Sequence, residues 1–218
     1  ATFRMMRLMV TGAGGMTGAE IVRKARAKGW DCIALTRQDL DIADVTEVEG
    51  AIGSRKPDVV INAAAFTAVD AAESSAAEAM SVNGSGAGNV ARSARNHDAA
   101  VIHISTDYVF GGSSETPYKP DDTVAPVNVY GESKLAGEIA VRDENPRHAI
   151  VRSSWIYSHE GKNFVRTMLR LANDQDSIRV VDDQRGSPTS AGDLADALIA
   201  VADNLFEKPG LAGPFHFS

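Results

Sequence analysis

Apolar runs of strand length alternate along this chain with longer stretches whose apolar residues recur every three to four positions. The first pattern suits strands covered on both faces and the second amphipathic helices, and their alternation is the signature of a parallel sheet with helical crossovers. Strands are expected at Arg7–Val10, Cys32–Leu35, Val59–Ile61, Val101–Ile104 and Ala149–Val151, with helices near Thr17–Lys28, Val45–Ser54, Ala76–Asn96 and Tyr130–Val141. Gly29 stops the first helix and Pro57 closes the second, as residues that end helical φ/ψ do. Right-handed crossovers then wind these elements into a doubly wound α/β sheet of the Rossmann type.

The stretch Gly111–Asn128, rich in Gly, Ser, Pro and Asp, reads as a long loop before the Tyr130 helix, and loops of that length are often functional. After Ser153 the pattern loosens: a helix near Asn163–Leu171, a short strand Ile178–Val181, and a helix near Leu194–Asp203. The final Gly213-Pro214-Phe215-His216-Phe217-Ser218 reads as a strand just begun, so a further C-terminal segment is expected. The reading divides the chain into a dinucleotide-binding domain, 1–157, which carries the reacting residues, and a smaller, incomplete substrate-side region, 158–218, interleaved with it.

Length and charge narrow the function. A chain of 218 residues can bury a full core. A net charge of −7 and a pI near 5.2 argue against nonspecific attraction to nucleic acid or anionic membranes. No apolar run approaches the roughly 18 residues of a spanning helix, and Ala1–Arg7 lacks the apolar core of a signal peptide. The single Cys32 forms no internal disulfide and reads as a small buried hydrophobe. Small-molecule chemistry in the cytoplasm is the expectation, with no nucleic-acid or membrane partner and a homodimer compatible with it. The five histidines are scattered without ligand spacing, so no metal site is expected from them.

Thr11-Gly12-Ala13-Gly14-Gly15-Met16-Thr17-Gly18 lies between the first strand and the first helix. Gly12, Gly15 and Gly18 permit a tight turn, close approach of backbone to a pyrophosphate, and close helix packing beside a helix N-terminus. The second strand ends in Thr36-Arg37-Gln38, with no acidic residue at the tip to hold a ribose 2′-hydroxyl. Arg37 can instead grip a 2′-phosphate, so NADPH is expected over NADH, with NADH left open. Asp41 and Ile42 either border the adenine or serve as a helix cap and a core contact.

A hydroxyl, Thr106, ends the fourth apolar run, and Tyr130 and Lys134 follow at a spacing that puts both on one helical face. A phenol titrates near 10, and bringing it to about 7 favours phenolate by about 4 kcal/mol. An ammonium from Lys134 beside the ring would do this, and the tuned phenol could give a proton to a carbonyl oxygen while hydride reaches the carbon. Thr106 would donate a further hydrogen bond to that oxygen.

Three longer stretches carry a resemblance: Asn62-Ala63-Ala64-Ala65-Phe66-Thr67-Ala68-Val69-Asp70-Ala71-Ala72-Glu73, Ser105-Thr106-Asp107-Tyr108-Val109-Phe110-Gly111-Gly112, and Tyr130-Gly131-Glu132-Ser133-Lys134-Leu135-Ala136-Gly137-Glu138. In this order the chain, from about Arg7 to its end, closely resembles the dTDP-4-dehydrorhamnose reductase family of extended short-chain dehydrogenase/reductases. The resemblance implies reduction of the 4-keto group of dTDP-4-dehydro-L-rhamnose to dTDP-L-rhamnose, a precursor of cell-surface polysaccharide. It implies that Tyr130 is the proton donor, that Lys134 lowers its pKa and holds the nicotinamide ribose, and that Thr106 hydrogen-bonds the substrate oxygen. Asp107 and Trp155 fall at sugar-contacting positions. Gly15, Met16, Thr17 and the alanines Ala63, Ala64 and Ala65 fall where the family lines its cofactor groove, as do Thr67 and Asn83. Gln184-Arg185-Gly186-Ser187-Pro188-Thr189 also fits the family, where this stretch shapes the nucleotide-sugar side of the cleft.

The chain departs from the family at Met16, usually glutamine, at Phe66, usually tyrosine or histidine, at Gly111, usually aspartate, and at Lys119-Pro120, commonly acidic. These touch substrate selection rather than the reacting groups. Some members use magnesium at a carboxylate-lined dimer contact, which this sequence leaves open. An epimerase or dehydratase on the same scaffold, or a noncatalytic NADP-binding subunit like the one that regulates methionine adenosyltransferase, are the competing readings.

Overall fold

Leu8, Met9 and Val10 are each fully buried, although consecutive strand residues point to opposite faces, so this strand must be covered on both sides. The computed structural model describes residues 5–207 and 212–218; part of the N-terminal segment 1–7 read above therefore lies outside the described residues. Strands β1 (Arg7–Thr11), β2 (Asp31–Leu35), β3 (Val59–Asn62), β4 (Ala100–Thr106), β5 (His148–Ser153) and a later strand at Gly213–His216 form one sheet. Every pairing is parallel, and with the Gly213–His216 strand set at the β5 edge the order is β2-β1-β3-β4-β5 and then that strand. The order reverses between β1 and β3, which is where doubly wound sheets open a crevice at the strands' carboxyl ends.

Helices cover both faces. On one, α1 (Met16–Ala27) packs beside a late helix, Ala191–Glu207, and both bury apolar stripes against Leu8, Val10, Ile61, Ile102 and Val151. Lys24 of α1 and Lys28, its C-cap, pair with Asp196 and Asp203 across that helix–helix seam. On the other face α2 (Val45–Arg55) is capped by Asp44, which accepts from the Thr46 and Glu47 N–H groups at 2.8 and 3.1 Å, as an N-cap carboxylate should.

After β3 come a single turn, α3 (Val69–Ala72), and then α4 (Ala76–Ala79), which runs through a π-helical stretch, Met80–Gly86, into α5 (Ala87–Asn96). The helix read as Ala76–Asn96 is therefore one rod with a widened middle, and such widenings occur often at functional sites. Met9, Val60, Val101 and Ile150 fill the space beneath α2, α5 and α6 (Val129–Glu144) with Ile52, Val90 and Val141. Where α6 crosses the π stretch, a side chain at Gly137 would collide with the Asn83 carbonyl, so backbone lies against backbone.

Beyond β5 the chain forms β6 (Ile156–Tyr157), α7 (Phe164–Asp174), β7 (Thr189–Ser190), α8 (Ala191–Glu207) and β8 (Gly213–His216). The strand expected at Ile178–Val181 is absent: these residues are irregular, and Val180 and Val181 are 52% and 68% exposed. Their apolar character alone makes no strand without a ladder partner. The small ladder that does form, β6 with β7, uses two residues from each side. The terminal strand read from Gly213 onward is β8, and it completes the main sheet rather than a separate layer. No helix among the described residues is long and apolar enough to cross a membrane.

Candidate active site

The carboxyl ends of β1, β2 and β3 frame a groove of about 300 Å³. Its floor is Gly12, Gly14 and Gly15, one wall is the backbone of Ala63, Ala64 and Ala65, and the far end is Arg37, Asp41 and Ile42. Gly12 sits at φ 66°, and a Cβ there would lie 2.5 Å from the Ala64 nitrogen, so the turn closes only around glycine. Arg37 is 77% exposed, and its guanidinium stands 3.5 Å from the Glu78 carboxylate, a loose tether that a phosphate can displace. Asp39 does not reach the groove as a free carboxylate; its oxygen takes the Thr36 N–H and hydroxyl at 2.9 and 2.7 Å, bonds that hold its pKa down. A small-residue floor, a helix N-terminus and an exposed cation at the β2 tip fit a dinucleotide with a 2′-phosphate.

Phe66 and Thr67 complete this wall, and Asn83 holds it from behind. The Asn83 side chain, buried, accepts from the Phe66 N–H at 2.8 Å and donates to the Phe66 carbonyl at 3.0 Å and to Ser133 Oγ at 2.9 Å. Its hydrogen-bonding capacity is largely spent on the protein, which makes it a strut between the groove and α6. Met16 turns toward the 158–163 loop, where its sulfur lies 3.6 Å from Asn163 Nδ2, and Thr17 sits in the first turn of α1. Gly14, Leu40 and Val82, not singled out from the sequence, also line the groove. Gly14 lay within the glycine motif, whereas Leu40 and Val82 carry no sequence signal distinguishing them from core.

At the end of β4 the Thr106 hydroxyl donates to Asp107 Oδ1 at 3.1 Å and accepts from the Tyr108 N–H at 3.2 Å, beside the Tyr130 phenol. Tyr130 is presented by the first turn of α6, where Asn128 caps the helix by accepting from Gly131 N–H at 2.7 Å and Glu73 accepts from Val129 N–H at 3.0 Å. The Tyr108 ring meets Tyr130 edge-on, with centroids 5.6 Å apart. Burial pushes the Tyr130 phenol up to about 12; Thr106 works against this, and Asp107 and Tyr108 add to it. Burial likewise raises the Asp107 carboxyl.

Lys134 is buried, and its ammonium is engaged by β4. Nζ donates to the Ile104 carbonyl at 2.6 Å and lies 3.3 Å from His103 Nε2. Burial pushes Lys134 down to about 8, with Glu138 opposing. Burial dominates at Tyr130, so the phenol is held above its ordinary range rather than tuned toward neutrality, and it stays a protonated acid.

A second cleft, of about 480 Å³, opens beyond Asp107 at the ends of β5 and β8 and is lined by Ser153, Ser154, Arg185, Ser187 and His216 among others. The buried Ser153 hydroxyl has no partner among the described residues, so a ligand bearing hydroxyl or phosphate oxygens would complete it. Trp155 adopts φ 45°, is 43% exposed, and packs its indole where a Cβ on Gly186 would stand 2.6 Å from the ring. Among the described residues no cluster of His, Cys, Asp and Glu is arranged to hold a metal ion.

The family model described as the RmlD substrate binding domain matches residues 6–218. The spore coat polysaccharide biosynthesis protein SpsK of Bacillus subtilis is 44% identical over 98% of this chain and 74% of its own length. The dTDP-4-dehydrorhamnose reductase of Sinorhizobium fredii is 43% identical over 98% of this chain and 72% of its own length. The crystal structure of dTDP-4-dehydrorhamnose reductase from Bacillus anthracis in complex with NADP superimposes with a TM-score of 0.92 at 36% identity, covering 99% of this chain and 75% of that one.

Proposed function

The chain belongs to the RmlD substrate binding domain family, and on that premise we propose that it is an NADPH-dependent reductase that converts the 4-keto group of dTDP-4-dehydro-L-rhamnose to the alcohol of dTDP-L-rhamnose. The observation that carries the reading is the buried Tyr130 phenol beside Thr106, in a chain whose strand ends also form a glycine-floored groove and a polar cleft that starts at Asp107. Bound NADPH supplies the hydride. Gly12 and Gly15 cradle its pyrophosphate, Ala63, Ala64, Ala65 and Thr67 wall its length, Asp41 and Ile42 border the adenine, and Arg37 takes the 2′-phosphate.

Tyr130 gives its proton to the ketone oxygen as the carbon is reduced. A phenol held up near 12 is fully protonated at neutral pH and supplies that proton without prior ionisation. Thr106 exchanges its bond to Asp107 for one to the same oxygen, so that two donors meet the developing negative charge. Lys134 holds the nicotinamide ribose, and its nearby cation favours the phenolate left behind until a proton returns. Asp107 and Trp155 orient the sugar, and Ser153 offers its free hydroxyl to the same ligand. Met16 and Thr17 support the phosphate end, and Asn83 braces the wall.

The reading places the reaction in a reducing cytoplasm, in keeping with the free thiol of Cys32. Incubation with dTDP-4-dehydrorhamnose and NADPH tests it: one reduced nicotinamide should be consumed per dTDP-rhamnose formed. Conversion of the nucleotide sugar with no loss of NADPH would instead mark an epimerase or dehydratase.

A further inference from the structure

We propose that His103 is a positioning residue for Lys134: a fully buried imidazole that offers Nζ a partner in both of the lysine's protonation states by switching tautomer, the switch being carried through Asn62 to Thr11. The proposal deepens the reading above and rests on Tyr130 and Lys134 being the proton-delivering pair.

The geometry is a single buried row across three strands. Lys134 Nζ lies 3.3 Å from His103 Nε2, His103 Nδ1 lies 3.2 Å from the Asn62 side-chain nitrogen, and Thr11 Oγ1 donates to Asn62 Oδ1 at 2.7 Å. His103, Asn62 and Thr11 are each 1% exposed, so water does not complete their bonds. An ammonium has only N–H groups to offer, and a neutral imidazole has one N–H and one lone pair. With Asn62 placed as it stands, its nitrogen donates to Nδ1, the ring proton sits on Nε2, and that N–H suits a neutral amine at Nζ. With the Asn62 amide turned over, its oxygen accepts from Nδ1–H, its nitrogen donates to Thr11, and the Nε2 lone pair receives the ammonium. Each arrangement gives Nζ and both ring nitrogens of His103 a matched donor or acceptor, which lowers the cost of a lysine losing and regaining a proton in a sealed site.

The surroundings leave His103 as the titratable ring beside Nζ. Lys134 shares its helix with Tyr130 and is influenced by Glu138; Glu138 is in turn held by Arg152 of β5 and Ser105 of β4. Asp107 stands beyond Tyr130 at the end of β4, while β3 and β1 contribute the neutral Asn62 and Thr11. Burial and the neighbouring lysine hold the His103 imidazole well below its ordinary range, so the ring remains neutral.

Two measurements test this. In the first, kcat is followed against pH for the wild type, His103→Leu and His103→Gln. Loss of the acceptor destabilises the ammonium, so the alkaline limb should move to lower pH by about one to two units in His103→Leu and return near the wild-type position in His103→Gln. A uniform fall in kcat with the limb unmoved, or the same displacement in both variants, overturns the proposal. In the second, the side-chain nitrogens of ¹⁵N-labelled wild-type protein are observed by NMR, which needs neither turnover nor a folded variant. The ring proton should move from Nδ1 to Nε2 as pH rises through the lysine titration, with no imidazolium at neutral pH. A tautomer indifferent to that titration, or an imidazolium, overturns the proposal. A wild type that reduces no ketone would defeat the functional reading while the spectrum still decided the tautomer.

Discussion

The carboxylate of Glu138 and the guanidinium of Arg152 meet in two hydrogen bonds of 2.9 and 2.7 Å, with Glu138 fully buried and Arg152 5% exposed. This pair pins α6, which carries Tyr130 and Lys134, to β5. Arg152 also donates to the Pro120 carbonyl at 3.1 Å and lies 5.0 Å from the Phe110 ring, so the long loop is tied to the same point. Removing one partner strands a buried charge: Arg152→Met should cost about 3–5 kcal/mol in urea denaturation, and the double replacement with Glu138→Leu should recover much of it. A double variant as unstable as the single would show that the pair's value lies in its packing.

Gly12→Ala asks for a side chain where the Ala64 nitrogen would be 2.5 Å away, at φ 66°. The left-handed conformation alone costs a non-glycine residue about 1–2 kcal/mol, and relief of the clash pushes Ala63 and Ala64 into the groove. The dissociation constant for NADPH, measured by fluorescence titration, should rise roughly tenfold or more. An unchanged constant would remove the glycine turn from the binding site.

Among the described residues Arg37 is held only by the long contact to Glu78, and so is available to a ligand. Arg37→Ala should lower the preference for NADPH over NADH by roughly 10- to 150-fold, the worth of a charge-assisted contact of about 1.5–3 kcal/mol. Paired cofactor titrations of wild type and variant check this, and an unaltered ratio would exclude Arg37 as the phosphate ligand.

Lys134 makes stability depend on pH in a definite direction. Its pKa in the folded chain is near 8, against 10.5 as the ordinary value. Below 8 the lysine is charged in both states and the full cost of burial is present; from there toward 10.5 the unfolded chain binds the extra proton, so stability rises with pH. Tyr130, pushed up to about 12 from 10.0, acts oppositely once the unfolded phenol begins to ionise above 10. Between pH 8 and 10 the wild type should therefore gain roughly 2 kcal/mol relative to Lys134→Met. Urea curves at the two pH values decide it, and parallel behaviour of the two proteins would mean that the lysine is not buried as a cation.

Much of the scaffold could be read from periodicity because each core strand is a short apolar run bounded by turn residues. Cys32–Leu35 and Ala149–Val151 fall inside the observed Asp31–Leu35 and His148–Ser153. Ile178–Val181 misled because an apolar run specifies burial only where a partner strand exists, and Val180 and Val181 have none among the described residues. The β6–β7 ladder is too short to show a period, and the π stretch keeps a helical pattern, so neither leaves a sequence signature. At the site, the spacing of Tyr130 and Lys134 gave their shared helix but not the direction of the ammonium, which is set by the Ile104 carbonyl and by His103 from another strand. Asn83 was assigned to the groove by the family resemblance alone; its amide is engaged with Phe66 and Ser133, partners that no spacing along the chain reveals.

The role of Tyr130 as the acid in a ketone reduction is tested most directly by the turnover of dTDP-4-dehydrorhamnose with NADPH, comparing the wild type with Tyr130→Phe at equal cofactor saturation. The rate should fall by roughly 10² to 10⁴ on loss of the hydroxyl, with NADPH binding little changed. Equal rates in the two proteins would contradict the account.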